Sequence, residues 1–418
     1  MRSFWARRRG CQLHETAKMN PAIINASSSR ARPANSARSP AAIAVSIAGS
    51  EDLLPLGGQL AALYDRALDA NLFLGPDFFL PLVSNAFGNK QPEALLAWDG
   101  APFQSNLIGF LPLARNRARM LPLAVYRGFR HPLVSSAVPL VDAAAAESVW
   151  LAMLDALAAN RLRAVLELEN VVLNSPVFAA LEIAAAASNR PMVMYNHYQR
   201  ALLDPAANSE EYIRRIKGKR LQELRRTRRK LESLGVVERT ICCGDEIPAA
   251  LDEFLDLEAS GWKGKRKTAL ASDPATAAFV RSALTGEAQR PAVRIEMLRF
   301  GGKAIAGNVF LLGRNVACSW KSGYDEAHRA HAPGKILDFD AISTVHDERW
   351  TPRIDSLALP GHNVEDIWLE RVPVATVMVA VTAGMPESDL RLFQRLEIMR
   401  LACRGALKNA YHSATGAR

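Results

Sequence analysis

The sequence contains little of what marks a secreted, metal-binding or membrane-spanning protein. Only five of its 418 residues are cysteine, at positions 11, 242, 243, 318 and 403, and none forms a Cys-x-x-Cys pair. This spacing argues against a disulfide framework and against a zinc site, and it suits a reducing compartment. The longest strongly apolar run, Val372–Ala383, has 12 residues and contains a proline, so it is too short to cross a bilayer. We therefore expect a cytoplasmic protein with no metal and no transmembrane segment.

Motifs of several common enzyme classes are also absent. The sequence has no His-Glu-x-x-His, no Gly-x-Ser-x-Gly and no Gly-x-Gly-x-x-Gly after a predicted strand. The Gly-Lys pair in Gly261–Lys265 lacks the spacing of a nucleotide-binding P-loop. These absences leave no motif for zinc peptidases, α/β-hydrolases or dinucleotide-binding enzymes.

Positive charge is concentrated at the amino terminus. The formal charge is +10, but residues 1–50 hold eight Lys/Arg against the single acid Glu15, which leaves only +3 for the other 368 residues. The global charge is therefore weak evidence for a nucleic-acid partner. Because residues 1–50 are rich in Arg, Ser, Ala and Pro, we expect a disordered basic extension. It is a transit peptide, a flexible extension without function, or the result of a start assigned too early, with Met19 as the internal initiator.

The rest of the chain is long enough for two cores, since single cores rarely exceed about 250–300 residues. Residues 51–205 alternate helical patterns with short strands, which predicts an amino-terminal lobe of α/β or α+β type. Residues 206–384 predict a second lobe. Residues 385–418 predict a basic amphipathic helix that packs on the protein, with binding to a membrane surface as the alternative.

The second lobe begins with a strongly basic segment. Residues 209–235 predict one long helix, in which ten of the 17 residues from Arg214 to Lys230 are Lys or Arg, opposed only by Glu223. Two interpretations remain open. The arginines form either a solvated face or a surface for phosphates or another anionic partner.

Residues 293–347 predict the unit around which the second lobe is organised. Gly301-Gly302 between two apolar strands favours a tight β-hairpin. A third strand then enters a loop at residues 325–334, and a helix is predicted to open at Lys335. A loop that runs from a strand into a helix leaves backbone N–H groups unpaired, and these groups and the helix dipole suit a phosphate.

This order of elements resembles the core of the GNAT superfamily of N-acetyltransferases. More closely, residues from about 70 to 370 resemble the FemAB-like, CelD-type (cellulose-biosynthesis-type) acetyltransferases. The matching segments are Tyr212–Gly235, Phe254–Glu258 with Gly261–Gly264, Gly302–Gly307, Trp320–Asp325 and Pro333–Leu337. The resemblance implies an α+β fold of two tandem GNAT-like lobes, each a mixed, mostly antiparallel sheet flanked by helices. It also implies an acyl-CoA-dependent acyltransferase.

The resemblance assigns cofactor-binding residues. GNAT enzymes hold the pyrophosphate of acetyl-CoA on a Gln/Arg-x-x-Gly-x-Gly/Ala loop, and the similar segment here runs from Arg329 to Gly334. Ala332 replaces the first glycine, and Pro333 removes one N–H donor. Lys335 is placed to restore charge beside the phosphates. Acetyl-CoA, or another acyl-CoA, is therefore the expected cosubstrate.

Candidate catalytic residues follow from the needs of acyl transfer, which requires a polarised thioester and a base for the acceptor. Tyr324 is placed to protonate the leaving thiolate. Asp325 or Glu258 is expected to accept the proton of the amine, and His328 and His331 are further bases because their reference pKa values are near neutral. For all five residues, packing or surface roles are alternatives.

A bulged or splayed strand near Gly323 or Gly307 is expected to offer the polarising N–H. The acceptor, a small molecule or a glycan precursor, is expected in the groove between the lobes. One alternative function is a tRNA-dependent aminoacyltransferase, as among FemAB relatives, which would use the basic helix. The other is a non-catalytic module of polysaccharide synthesis, which Ala332 and Pro333 favour.

Overall fold

The computed structural model describes residues 43–85, 92–114, 124–136, 138–159, 164–205, 208–286 and 292–414. Within these residues one continuous sheet contains 13 strands. The strands are β1 (Ala44–Ala48), β2 (Glu93–Trp98), β3 (Leu107–Ala114), β4 (Ala124–Gly128), β5 (Leu140–Val141), β6 (Ala164–Val172), β7 (Met192–Leu203), β8 (Val237–Cys243), β9 (Ala292–Phe300), β10 (Lys303–Leu312), β11 (Ala317–Tyr324), β12 (Ile354–Asp355) and β13 (Glu370–Ala380).

Helices connect the strands and cover both sides of the sheet. They are α1 (Ser50–Leu53), α2 (Gly57–Arg66), α3 (Pro76–Asn85), α4 (Ala146–Ala158), α5 (Pro176–Ala187), α6 (Ser209–Arg215), α7 (Gly218–Glu232), α8 (Ile247–Ser260), α9 (Trp262–Lys265), α10 (Pro274–Thr285), α11 (Pro333–Glu348) and α12 (Glu387–Ala414). Short 3-10 turns lie at Leu54–Leu56, Leu72–Leu74, Gly244–Glu246, Leu270–Ser272, Glu326–His331 and Asn363–Asp366.

The strand order shows that the two halves of the chain repeat one topology. Across the sheet the order is β1-β2-β3-β4-β6-β13-β7-β12-β11-β10-β9-β8, with β5 beside β3. In each half, four antiparallel strands are followed by a parallel neighbour, β6 beside β4 and β12 beside β11. The last strand of each half then pairs with the other half, since β7 lies against β12 and β13 lies against β6. The α+β fold with two repeated lobes and a mixed, mostly antiparallel sheet is confirmed, and the lobes exchange their last strands.

The largest core lies where helices of both halves meet on one side of the sheet. The ring of Phe78 on α3 packs edge-on against Phe279 on α10, with ring centroids 5.1 Å apart, and against Trp320 on β11 at 5.8 Å. All three side chains are buried. On the other side, α4 and α5 cover the first half, and α6 and α11 cover the second. The lobes are thus joined by side-chain packing as well as by strand exchange.

The hairpin predicted from sequence is confirmed. Strands β9 and β10 are joined by Gly301 and Gly302, whose φ angles are +57° and +82°. Two consecutive positive φ values suit the tight turn whose twist matches that of the flanking strands. Glycine adopts these angles without the steric cost of a Cβ atom.

Three expectations about element boundaries were wrong. Residues 44–48 are not part of a disordered extension, because they form β1 and pair with β2; residues 1–42 lie outside the described residues. The single helix expected at 209–235 is broken, since Ile216 and Lys217 have extended backbone and buried Ile216 packs in the core. The helix expected to open at Lys335 begins at Pro333, which is favoured at a first helical position.

Among the described residues, Cys242, Cys318 and Cys403 are free thiols. None of the described helices combines the length and the apolar character that a bilayer span requires.

Candidate functional site

The second half contains a notch where two parallel strands diverge. Strand β11 pairs with β12 only at Ala317 and Cys318, opposite Ile354 and Asp355. From residue 319 to residue 324, no described strand lies on that side of β11. The splayed pair expected from sequence is therefore present. It leaves a strand edge open, and such an edge can pair with an extended ligand.

The expected bulges are at other residues. Gly307 and Gly323 lie opposite each other in regular register, and the extra residues are Ile305 in β10 and Trp320 in β11. Packing explains the glycine at 307, where a Cβ would lie 2.9 Å from Cδ2 of Phe254 on α8. The glycines therefore allow α8 to approach the sheet closely.

At the end of β11, a short connection presents the start of α11. The 3-10 turn Glu326–His331 ends at Ala332, which has φ +43° and ψ +53° and precedes Pro333. Ile336 N–H donates to the Ala332 carbonyl at 3.2 Å, and no side chain caps the helix. The amides of Gly334 and Lys335 therefore have no partner within α11, and they point along the positive end of the helix dipole.

A cleft of about 50 Å³ lies at this helix start. It is lined by Ala332 and Lys335 of α11, by Arg220 and Glu223 of α7, and by Asp366. Arg220 Nη1 lies 3.0 Å from Glu223, and Arg220 Nη2 lies 2.8 Å from Asp366. The hydrogen bond from Arg220, with Lys335 nearby, lowers the pKa of Glu223. Two cations and two carboxylates share the cleft, so an entering anion would recruit Lys335 and compete for Arg220.

The residues assigned to the phosphate loop do not all line this cleft. Ala332 and Lys335 do, whereas Gly334, which lies between them in the sequence, is half-buried. The Arg329 side chain is exposed, and its backbone carbonyl accepts from Ala332 N–H at 3.1 Å. Sequence reasoning missed Arg220 and Asp366. Arg220 lies in the basic segment, but nothing near Asp366 in sequence indicated its position.

Tyr324 and Asp325 lie where β11 meets the connection to α11. The Tyr324 ring is half-buried and packs with Ile305 and Leu337. Asp325 accepts a hydrogen bond from Ala327 N–H at 2.9 Å, and its own N–H donates to the Ile305 carbonyl at 2.9 Å. Asp325 thus shapes the connection by capping the 3-10 turn.

The two histidines lie in the same turn. His328 Nδ1 is 3.5 Å from Asp325, and its ring packs against Phe300 with centroids 5.5 Å apart. His331 is half-buried. The connection therefore brings Tyr324, Asp325 and both histidines close to the open end of β11.

Glu258 occupies a different environment. Its side chain is 3% exposed, and one carboxylate oxygen accepts from Lys263 Nζ at 2.7 Å while the other accepts from Leu270 N–H at 2.7 Å. Lys263 also donates to the Ser322 carbonyl at 2.7 Å. Because both oxygens are engaged, this geometry favours a structural tie between α8, α9 and β11 over the role of a catalytic base.

Comparison with protein families agrees with the topology of the second half. Residues 218–362 match the family model of the acetyltransferase (GNAT) domain. The match contains the hairpin, the splayed strand β11 and the start of α11, so the fold of this segment is GNAT-like. The first half repeats the same strand pairing. Within the described residues, no group of side chains is arranged to hold a metal ion.

Comparison with solved structures gives distant similarities. One is the C-terminal domain of a putative lysylphosphatidylglycerol synthetase from Agrobacterium fabrum, with TM-score 0.49, 13% identity, and coverage of 81% of this chain and 95% of that one. FemX gives TM-score 0.48, 8% identity, and coverage of 80% and 98%. A tandem GNAT protein from the clavulanic acid biosynthesis pathway gives TM-score 0.40, 12% identity, and coverage of 81% and 99%. No curated protein matches the chain.

Proposed function

We propose that this protein is an acyl-CoA-dependent acyltransferase that transfers an acetyl or related acyl group to an amine or hydroxyl of a small molecule or polysaccharide precursor. The observation that carries the proposal is the joint placement of the open β11 edge and the uncapped start of α11 within the segment that matches the GNAT model. An open strand edge suits an extended carrier arm, and a helix start suits its phosphates.

The residues of this chain fit one phosphate group of such a carrier. The amides of Gly334 and Lys335 are two donors, and the Lys335 side chain adds a positive charge in the same cleft. Pro333 supplies no N–H, so the site has one donor fewer than a glycine at that position would give. The carboxylates of Glu223 and Asp366 repel an anion, and their ion pairs with Arg220 weaken that repulsion.

Within this proposal, Tyr324 is the group that protonates the leaving thiolate, because it lies between the open edge and the helix start. His328, His331 and Asp325 are the candidate bases, since they follow Tyr324 in the same connection. Glu258 is the weakest of the candidate bases because its oxygens are already bound.

The experiment is isothermal titration of the protein with acetyl-CoA. Lys335→Ala removes the only lysine among the described residues that line the cleft, and we expect the dissociation constant for acetyl-CoA to rise about 10-fold or more, since charge-assisted hydrogen bonds contribute about 1.5–3 kcal/mol. Arg329→Ala tests the exposed residue separately. Arg281→Ala is the control, because this exposed arginine lies on α10 at the opposite side of the sheet. Equal binding by the wild type and Lys335→Ala, or no binding by the wild type, would contradict the proposal.

A second candidate is a tRNA-dependent aminoacyltransferase, and the basic face of α7 favours it. Of the ten Lys/Arg in residues 214–230, only Arg215, Arg220 and Arg228 form ion pairs with described carboxylates. The exposed Arg225 and Arg226 therefore remain available to phosphates. A gel shift with charged tRNA that weakens steeply with salt, and is lost in Arg225→Glu, would favour this candidate; no shift at low salt would remove it.

A further inference from the structure

A second cleft, of about 360 Å³, lies in the first half of the chain. It is formed by the loop 129–136 that follows β4, by the end of β6 and by α12. Its polar lining includes Arg130, His131, Ser135, Glu169, Asn170 and Arg404. None of these residues belongs to the open edge of β11 or to the cleft at the start of α11. The cleft is several times larger than the one at α11, and it is polar enough to bind a hydrophilic small molecule.

The loop 129–136 is held in place from three directions. Three side chains from different elements donate to its backbone carbonyls: Trp320 Nε1 to Leu133 at 3.0 Å, Asn170 Nδ2 to Ser135 at 3.1 Å, and Asn71 Nδ2 to Ser136 at 3.0 Å. A loop with its carbonyls fixed in this way presents its side chains in one arrangement, which lowers the entropic cost of binding a ligand.

One of these contacts connects the loop of this cleft to β11, whose open edge belongs to the site proposed for acyl-CoA. Trp320, which binds the loop through Leu133, is the bulged residue of β11 and belongs to its open portion. From Trp320 the strand runs four residues to Tyr324, or about 13 Å at a rise near 3.3 Å per residue. The loop of this cleft is therefore tied to β11 near one end of the open edge, and the connection to α11 begins at the other end.

Around the cleft, some basic side chains have no carboxylate partner among the described residues. Glu167, Glu169 and Glu397 form ion pairs with the three arginines Arg127, Arg130 and Arg400. Among the described residues, Arg404 has no carboxylate partner, and it is exposed at the cleft. Lys321 on β11 is near enough to lower the pKa of His131, after the larger effect of burial, and it too lacks an ion pair with a described residue.

We propose that this cleft binds the acceptor, and that the acceptor is a hydroxylated anion of the sugar-phosphate class. Arg404 binds the phosphate, and the side chains of Ser135 and His131 face the hydroxyl groups. The assignment of the ligand as an acceptor rests on the proposed acyltransferase function; the binding site itself does not.

The test is direct binding to the full chain without acetyl-CoA, by ligand-observed NMR titration. The probes are glucosamine 6-phosphate, glucose 6-phosphate and glucosamine. We expect both phosphates to bind, and glucosamine to bind about 10-fold more weakly or not at all, because it lacks the anion. Arg404→Ala should weaken the phosphates by about 10- to 100-fold, whereas Arg395→Ala, an exposed arginine on the same helix outside the cleft, should not.

Failure of this inference is distinguishable from failure of the proposed function. Lys335→Ala should leave sugar-phosphate binding unchanged, because Lys335 belongs to the other cleft. Equal loss in Arg404→Ala and Arg395→Ala would show unspecific charge attraction and overturn the site. Absence of binding by both phosphates would overturn it as well. If both bind through Arg404 while acetyl-CoA does not bind, the site stands and the acyltransferase function falls.

Discussion

Replacing Glu258 with glutamine separates a structural role from a catalytic one. Two donors, Lys263 Nζ and Leu270 N–H, converge on the two carboxylate oxygens at 2.7 Å each. A glutamine offers one acceptor oxygen and one amide donor, so one of these hydrogen bonds is lost. A hydrogen bond to a charged group contributes about 1.5–3 kcal/mol, and breaking a buried ion pair costs about 3–5 kcal/mol. Because Lys263 keeps its bond to Ser322, we expect Glu258→Gln to lower the free energy of unfolding by about 2–4 kcal/mol.

The assay is urea denaturation followed by circular dichroism, with unchanged m-values as the check that the states are comparable. Asp256→Asn is the matched control, since it removes the same charge from an exposed position on the same helix. The double variant Glu258→Gln, Lys263→Met should be less destabilised than the sum of its two single variants, because the two residues interact directly. A Glu258→Gln protein with wild-type stability but no turnover would refute the reasoning and restore Glu258 as a base.

Three further variants test other parts of the second half. Burial raises the pKa of Asp338 to about 6, so the free energy of unfolding falls as pH rises from about 4 to 6. In urea denaturation, Asp338→Asn should therefore raise the free energy of unfolding by up to about 3 kcal/mol at pH 8 and should leave it unchanged near pH 3.5. Gly307→Ala places a Cβ 2.9 Å from Phe254 and should cost about 1–3 kcal/mol of stability by the same measurement. Glu223→Gln removes a carboxylate from the cleft and leaves Arg220 paired only with Asp366 among the described residues, so titration calorimetry should show acetyl-CoA binding about threefold tighter.

For each of these variants, one result would contradict the argument behind the prediction. A stability gain of Asp338→Asn that is equal at pH 3.5 and pH 8 would show that ionisation is not its cause. Gly218→Ala is the control for Gly307→Ala, since a Cβ at position 218 meets no atom within 4 Å; equal effects would remove the packing argument. Weaker acetyl-CoA binding by Glu223→Gln would show that the carboxylate organises the cleft instead of opposing the anion.

The parts of the fold that depend on neighbouring residues in the chain were predicted correctly from the sequence. The Gly301-Gly302 hairpin and the passage from β11 into α11 follow from turn residues and apolar spacing, and both are present. The exchange of β7 and β13 was not predictable in this way, because nothing within either strand specifies which partner it takes. For the same reason, the two hydrogen bonds that occupy Glu258 were missed: they depend on the break between α8 and α9, which brings Lys263 back beneath Glu258.

The repeated topology allows the two halves to be compared at equivalent helix starts. In the first half, α4 holds the position that α11 holds in the second, since each connects the two parallel strands. Two carboxylates lie near the start of α4: Asp142, which accepts from Ala144 N–H at 2.9 Å and pairs with Arg66, and Glu147, which lies in the first turn and carries the negative charge there. Negative charge there satisfies the helix dipole and repels a phosphate.

The first turn of α11 contains no acidic residue, and its first side-chain charge is that of Lys335. Of the two equivalent helix starts, only α11 is thus suited to an anion. The first half instead has a longer connection after β4, whose loop 129–136 builds the larger polar cleft. The helix start that we propose for a phosphate thus belongs to the second half, and the cleft that we propose for the acceptor belongs to the first. A buried hydrogen bond from Trp320 to Leu133 joins the two halves within the core.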